Sequence, residues 1–253
     1  MPVFEGVGVA LLTLFDEQDR VDARATAGLA AQLVGRGVRG VVVAGTTGEA
    51  AALDAAERVA LVESVRAKVP ADVPVLAGTG AASARQAVAL TRAAVDAGAD
   101  ALLVLSPPGA ADAGSYYEAV SVAAGELPVI AYHYPDVSPP GITVDALRKL
   151  PVAGCKDSSG EPGRLLEELT TFDGDLYTGS SALLSFAGPL GCTGAILSLA
   201  NAEPERCIAA FSGDAGAQRA LVPAHRRALE HFPRGLKEMV AEQLGTSAAC
   251  RMG

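Results

Sequence analysis

The chain has 253 residues, half of them hydrophobic, and a formal charge of −9. That length and apolar fraction suit one large domain with a substantial core, and no Pro/Gly/Ser-rich linker or run of like charge divides it. An acidic chain with no cluster of Lys or Arg argues against nucleic acid and anionic membrane surfaces as partners.

Strand-like and helix-like stretches alternate along the chain. Val7 to Leu12 is short and apolar, and Ala23 to Gly35 carries apolar residues at helical spacing. Val38 to Ala44 is a nearly continuous β-branched run, as expected of a strand buried on both faces. Asp54 followed by Glu57 forms a capping box for a helix that runs to Lys68, before Pro70. Val73 to Ala77 then precedes a helix from Ser83 to Ala97, Asp100 to Leu105 one from Ser115 to Ala124, and Pro128 to Tyr132 one from Thr143 to Leu150. Val152 to Lys156 precedes a helix from Pro162 to Leu169, Asp175 to Thr178 the apolar stretch Ala182 to Leu190, and Ala195 to Leu199 a helix from Pro204 to Phe211. From Asp214 onward the chain reads as helix.

Eight strand-then-helix units predict a closed (β/α)8 barrel over residues 1–212, with a short helical extension over 213–253 in the same structural unit. An open doubly wound sheet would carry a Gly-rich dinucleotide loop after its first strand, and Thr13-Leu14-Phe15 stands there instead. The N-terminus has no signal-like pattern and no apolar run reaches the length of a membrane span, which predicts a cytoplasmic protein. The four cysteines, Cys155, Cys192, Cys207 and Cys250, show no metal-ligand spacing, and three of them sit in or beside apolar runs as small hydrophobes would. With three histidines in no ligating pattern, neither a metal nor an organic cofactor is expected.

In a barrel the chemistry lies at the C-terminal ends of the strands. At the end of the sixth strand stands Lys156, in Gly154-Cys155-Lys156-Asp157-Ser158-Ser159-Gly160. Desolvating an ammonium there would push it toward the neutral amine, the nucleophile that forms a Schiff base with a ketone. After the second strand, Gly45-Thr46-Thr47-Gly48-Glu49 offers backbone N–H groups and two hydroxyls, a cradle for a carboxylate. After the fifth strand, Tyr132-His133-Tyr134-Pro135 presents a phenol able to relay protons, and Gly179-Ser180-Ser181 follows the seventh. Singly, each motif has a plainer reading: a capped polar turn, a half-buried tyrosine, a solvated lysine. Together at one end of one barrel they are not so easily explained away.

Gly45 to Glu49, Tyr132 to Pro135 and Gly154 to Gly160 closely resemble the motifs of the dihydrodipicolinate synthase/N-acetylneuraminate lyase family, and Gly191 to Ile196 followed by Ala200-Asn201 resembles its eighth-strand segment. The resemblance spans about residues 5 to 245. It implies a (β/α)8 barrel, a homo-oligomer (dimer or tetramer) and a small-molecule 2-oxo acid substrate. It also implies that Lys156 forms an imine with pyruvate or another 2-keto acid and that Tyr132 shuttles protons. Thr46 would bond the tyrosine, and Thr47, with Gly45, would hold the keto-acid carboxylate. Gly179 and Ile196 would line the pyruvate pocket.

The departures from the family pattern set the substrate expectation. Val137 stands where the synthases carry an arginine for the second substrate's carboxylate, and Gly109 where they carry an intersubunit tyrosine, unless Tyr116 or Tyr117 folds back to replace it. Ser181-Ala182 replaces the acidic pair of the sialic acid lyases, and His133 replaces an asparagine of the pattern. The expectation is therefore a class I lyase acting on pyruvate or a 2-keto-3-deoxy sugar acid. The alternatives are dihydrodipicolinate synthase itself, a keto-deoxy-acid dehydratase using the same lysine, or a barrel that only binds or regulates.

Overall fold

The eight units form as β1 (Gly6–Ala10), α1 (Ala23–Gly35), β2 (Val41–Val43), α2 (Ala55–Lys68), β3 (Val75–Gly78), α3 (Ala84–Asp96), β4 (Ala101–Leu105), α4 (Gly114–Ala124), β5 (Val129–His133), α5 (Val144–Leu147), β6 (Gly154–Asp157), α6 (Pro162–Thr171), β7 (Asp175–Thr178), α7 (Leu184–Ala187), β8 (Gly194–Leu197) and α8 (Pro204–Phe211). The computed structural model describes residues 1–110 and 112–252; Ala111 and Gly253, the last residue of the expected extension, lie outside the described residues. All strands are parallel and in chain order, and β1 closes onto β8 with Gly6 beside Gly194 and Val9 beside Leu197.

Several boundaries differ from the sequence expectation. β2 is three residues long because the Val38 N–H is taken by Leu33 O at the end of α1 and Ala44 turns into the left-handed region at φ 51°. The apolar stretch after β7 makes only the four-residue α7, which ends before Pro189. The region after Asp214 is not one helix: α9 (Ala215–Ala220), α10 (Val222–Leu229) and α11 (Arg234–Leu244) are followed by a non-helical tail from Gly245. The capping box at Asp54 forms, Asp54 accepting from the Glu57 N–H and Glu57 from the Asp54 N–H.

The barrel interior is a small core of its own, including Phe4, Val42, Leu76, Leu103, Ile130, Tyr177 and Ile196, separate from the larger layer between strands and helices. Phe4 plugs the N-terminal end. Its ring fills the space left by Gly8 and Gly40, where a Cβ would come within 2.6 and 2.7 Å of it. The ring packs 4.8 Å from that of Tyr177, whose hydroxyl donates to Phe4 O at 2.9 Å. With that end sealed, the C-terminal end is where a ligand can enter.

The tail is fastened across the rim of that open end. Lys237 on α11 is fully buried, and its Nζ donates to Glu49 Oε1 at 2.5 Å and to Ala249 O at 2.6 Å. Glu49 Oε2 accepts from the backbone N–H groups of Arg251, at 2.8 Å, and Met252, at 2.6 Å. Arg251 then reaches both carboxylate oxygens of Glu57, at 2.8 and 2.7 Å. Lys237→Met would leave the Glu49 carboxylate buried without its counter-charge, and is expected to lower unfolding stability by about 3–5 kcal/mol. Urea denaturation measures it, and Lys237→Met/Glu49→Gln, which removes the stranded charge, should recover a large share.

Candidate active site

Strand register builds the centre of the site. Tyr132 on β5 pairs directly with Lys156 on β6, so both side chains leave the sheet on the same face, into the barrel mouth. Lys156 is 5% exposed and its Nζ lies 4.1 Å from the centroid of the Tyr132 ring. No carboxylate pairs with that amine among the described residues. Desolvation alone therefore sets its protonation, lowering its pKa from 10.5 to about 7. Gly179 at the end of β7 makes the room, since a Cβ there would stand 1.9 Å from Ser158 Oγ and 3.0 Å from Lys156 Cε.

Neighbouring residues on β6 face the other way and leave the amine unpaired. The Asp157 carboxylate turns outward, where it accepts from the Ser159 N–H at 2.8 Å and the Ser159 hydroxyl at 3.0 Å and lies 3.7 Å from Arg164. Cys155 is fully buried in the outer layer, its thiol pushed well up by burial. His133, next to Tyr132 on β5, also faces outward: its Nδ1 accepts from the Ile142 N–H at 2.9 Å, and burial lowers its pKa to about 4. The asparagine-to-histidine departure seen in the sequence thus falls outside the site.

The hydroxyls converge on the tyrosine. Burial raises the Tyr132 phenol to about 12, against the opposing effect of side-chain hydrogen bonds with Ser158 and Thr46. It is therefore a protonated phenol hydrogen-bonded to two hydroxyls. The Thr46-Thr47 turn is held in a constrained shape, with Ala44 (φ 51°) before it and Glu49 (φ 57°) after it both left-handed, a conformation that costs of order 1–3 kcal/mol per non-glycine residue. The Thr13 hydroxyl donates to Gly48 O at 2.7 Å, and the tail clamps Glu49.

Thr46, Thr47, Tyr132, Lys156, Gly179 and Ile196 line one cleft of about 250 Å³. Gly45 is not among its lining residues; its carbonyl accepts from the Ala50 N–H at 3.2 Å. Val137 lies outside the cleft and is 46% exposed. Neither neighbouring tyrosine folds back into it: the Tyr117 hydroxyl donates to Val104 O at 2.8 Å, and the Tyr116 hydroxyl accepts from the Ala81 N–H at 3.0 Å. Gly109 donates its N–H to Pro139 O. Sequence reading did not single out Ser158, Tyr134, Asp136 or His225 as site residues, yet all four line the cleft. Ser158 and Tyr134 lie two positions from Lys156 and Tyr132, the spacing that returns a strand residue to the same face, whereas nothing local marks His225.

A buried, unpaired amine beside a phenol at the mouth of a (β/α)8 barrel defines a class I, Schiff-base-forming lyase. Residues 3–245 match the model of the Dihydrodipicolinate synthetase family, and the chain belongs to that family. It is 38% identical over 240 residues to the 4-hydroxy-tetrahydrodipicolinate synthase of Pseudomonas aeruginosa, covering 87% of this chain and 82% of that one. The dihydrodipicolinate synthase of Aquifex aeolicus superimposes with a TM-score of 0.89 at 27% identity, covering 98% of this chain and 91% of its own. A prophage protein of the dihydrodipicolinic acid synthase family from E. coli K12, solved in complex with pyruvate, gives a TM-score of 0.90 at 25% identity, over 98% and 91% of the two chains. No helix among the described residues is long and apolar enough to cross a membrane.

The protonation of Lys156 gives a pH prediction. Only the free amine attacks a carbonyl, so the single-turnover rate of imine formation with pyruvate should rise with pH through a midpoint of about 7. A midpoint near that of free lysine would show that the amine is solvated. Folded Lys156 releases its proton at about 7 and unfolded lysine near 10.5. Between those values the unfolded chain binds more protons, so this group adds stability as pH rises through the window.

Proposed function

We propose that Lys156 condenses with the ketone of pyruvate or of a 2-keto-3-deoxy sugar acid. The amine adds to the carbonyl carbon, water leaves, and the protonated imine draws electrons from the adjacent carbon. Cleavage of the neighbouring C–C bond of a sugar acid, or loss of a proton from pyruvate, then leaves an enamine, and addition of an aldehyde to that enamine is the reverse step. Tyr132, bonded with Thr46 and Ser158, carries protons to and from the carbinolamine and the aldehyde oxygen. Thr47 and the turn beginning at Gly45 hold the carboxylate, while Gly179 and Ile196 shape the pyruvate end.

The unpaired burial of the Lys156 amine carries this reading. The chain's other fully buried lysine, Lys237, is matched by a carboxylate and a carbonyl, as a structural lysine should be. A barrel that only binds or regulates does not account for the difference. The sugar-acid choice is supported by the lining of the cleft, in which Lys156 is the one lysine or arginine among the described residues, so a second carboxylate has no cation to meet. Dihydrodipicolinate synthase, condensing pyruvate with aspartate semialdehyde, is the second reading, favoured by relatives such as the Pseudomonas aeruginosa enzyme. A homo-oligomer in the cytoplasm completes the proposal, supported by the family and by the open apolar groove beside Thr46 that Ala81, Leu105, Val137 and Met252 line.

Borohydride with pyruvate should leave a reduced pyruvyl adduct on Lys156, found by peptide mapping and lost in Lys156→Ala; a folded wild-type protein with no adduct would refute the proposal. Tyr132→Phe should still accept pyruvate but lose about 10²–10⁴-fold in turnover, as removal of a proton-transfer group does. Turnover of aspartate semialdehyde above that of neutral hydroxyaldehydes would favour the synthase instead.

A further inference from the structure

His225 stands on α10, outside the eight barrel units, yet it lines the same cleft as Lys156. Its Nδ1 lies 2.7 Å from the hydroxyl oxygen of Ser181, two residues beyond Gly179. The Ser181 turn is itself fixed: its backbone carbonyl accepts from Gln218 Nε2 at 2.9 Å, and Gln218 Oε1 accepts from the Ser185 N–H at 2.9 Å. The histidine is half-buried, and its Nε2 has no protein partner among the described residues. Burial lowers its pKa, which favours the neutral ring.

A neutral imidazole sharing one proton with a hydroxyl has a useful ambiguity. When Ser181 donates to Nδ1, Nε2 carries the proton and is a donor. When Nδ1 donates to Ser181, Nε2 is an acceptor and the serine proton is free. A substrate hydroxyl, itself donor and acceptor, matches either state. A carboxylate, which only accepts, matches one of them and finds no added positive charge. Around the pair the cleft is lined by further serines, Ser180 and Ser198.

We infer that the His225–Ser181 pair is a specificity element that binds a hydroxyl of the second substrate, so that the C-terminal helices choose a hydroxylated aldehyde while the barrel strands hold the pyruvate-derived imine. The inference rests on the Lys156 imine proposed above. It makes His225 a residue that selects substrate, rather than one that merely steadies Ser181.

The test uses the full chain with pyruvate and two aldehydes of equal carbon count, glyceraldehyde and propionaldehyde, with borohydride trapping run in parallel on every variant. Wild type should prefer glyceraldehyde in kcat/KM. His225→Leu should lower kcat/KM for glyceraldehyde about tenfold more than for propionaldehyde, chiefly through KM for the aldehyde, as loss of one hydrogen bond to an otherwise buried hydroxyl does. His225→Gln, which keeps a donor and an acceptor, should restore part of the preference, and Ser181→Ala gives a second approach should His225→Leu fold poorly. A wild type without the preference, or equal losses for both aldehydes, overturns the inference while a trapped imine leaves the Lys156 reading standing. Absence of the imine in wild type overturns both.

Discussion

An amine sealed in protein with no carboxylate beside it tends to give up its proton, and Lys156 is held in that condition from several sides. Tyr132 covers it with a ring face at 4.1 Å. The alternation of β6 sends Asp157 outward to Ser159 and Arg164, away from the amine. The missing side chain of Gly179 leaves the lysine its room, since a Cβ there would press on Lys156 Cε at 3.0 Å. A carboxylate beside the amine would have held its proton in place and removed its use as a nucleophile. The barrel instead spends its register on keeping partner and amine on opposite faces of one strand.

The turn after β2 is constrained in a different way. The turn at Thr46-Thr47 is bracketed by two left-handed non-glycine residues, Ala44 and Glu49, and such backbone persists only where the surroundings over-determine it. Part of the surroundings is the C-terminal segment. Glu49 accepts from Lys237 and from two backbone N–H groups of the tail, in a fully buried position. The ion pair therefore joins the turn after the second strand to the last helix and tail, and the threonines sit on the strand side of that junction.

The fold was legible because eight short strand-like runs alternate with helical patterns, and a closed parallel barrel is the arrangement that eight such units predict. Lys156, Tyr132 and the threonines were legible because each stands at, or within a few residues of, the C-terminal end of its strand. What escaped had long-range causes. Glu49 reads in sequence as one more polar residue of a turn; its burial depends on Lys237, 188 positions away. His225 belongs to a stretch with helical composition and no motif, and only the packing of α10 brings it to Ser181. The outward face of His133 followed from its position beside Tyr132 and could have been taken from strand alternation alone. The tail beyond Gly245 was read as helix because its composition permits one, but its backbone donors are used by Glu49 instead.

The Glu49 junction also sets an order in time. The threonine turn is synthesised some 190 residues before Lys237, the first of the groups from Lys237 to Met252 that lock it. At ordinary rates of synthesis, about 5–20 residues per second, the strands have many seconds to pair before the lock exists. Until the tail is made, the Glu49 carboxylate lacks all three of the donors from Lys237, Arg251 and Met252. Those three contacts form only when the tail docks, whatever the order in which the strands pair.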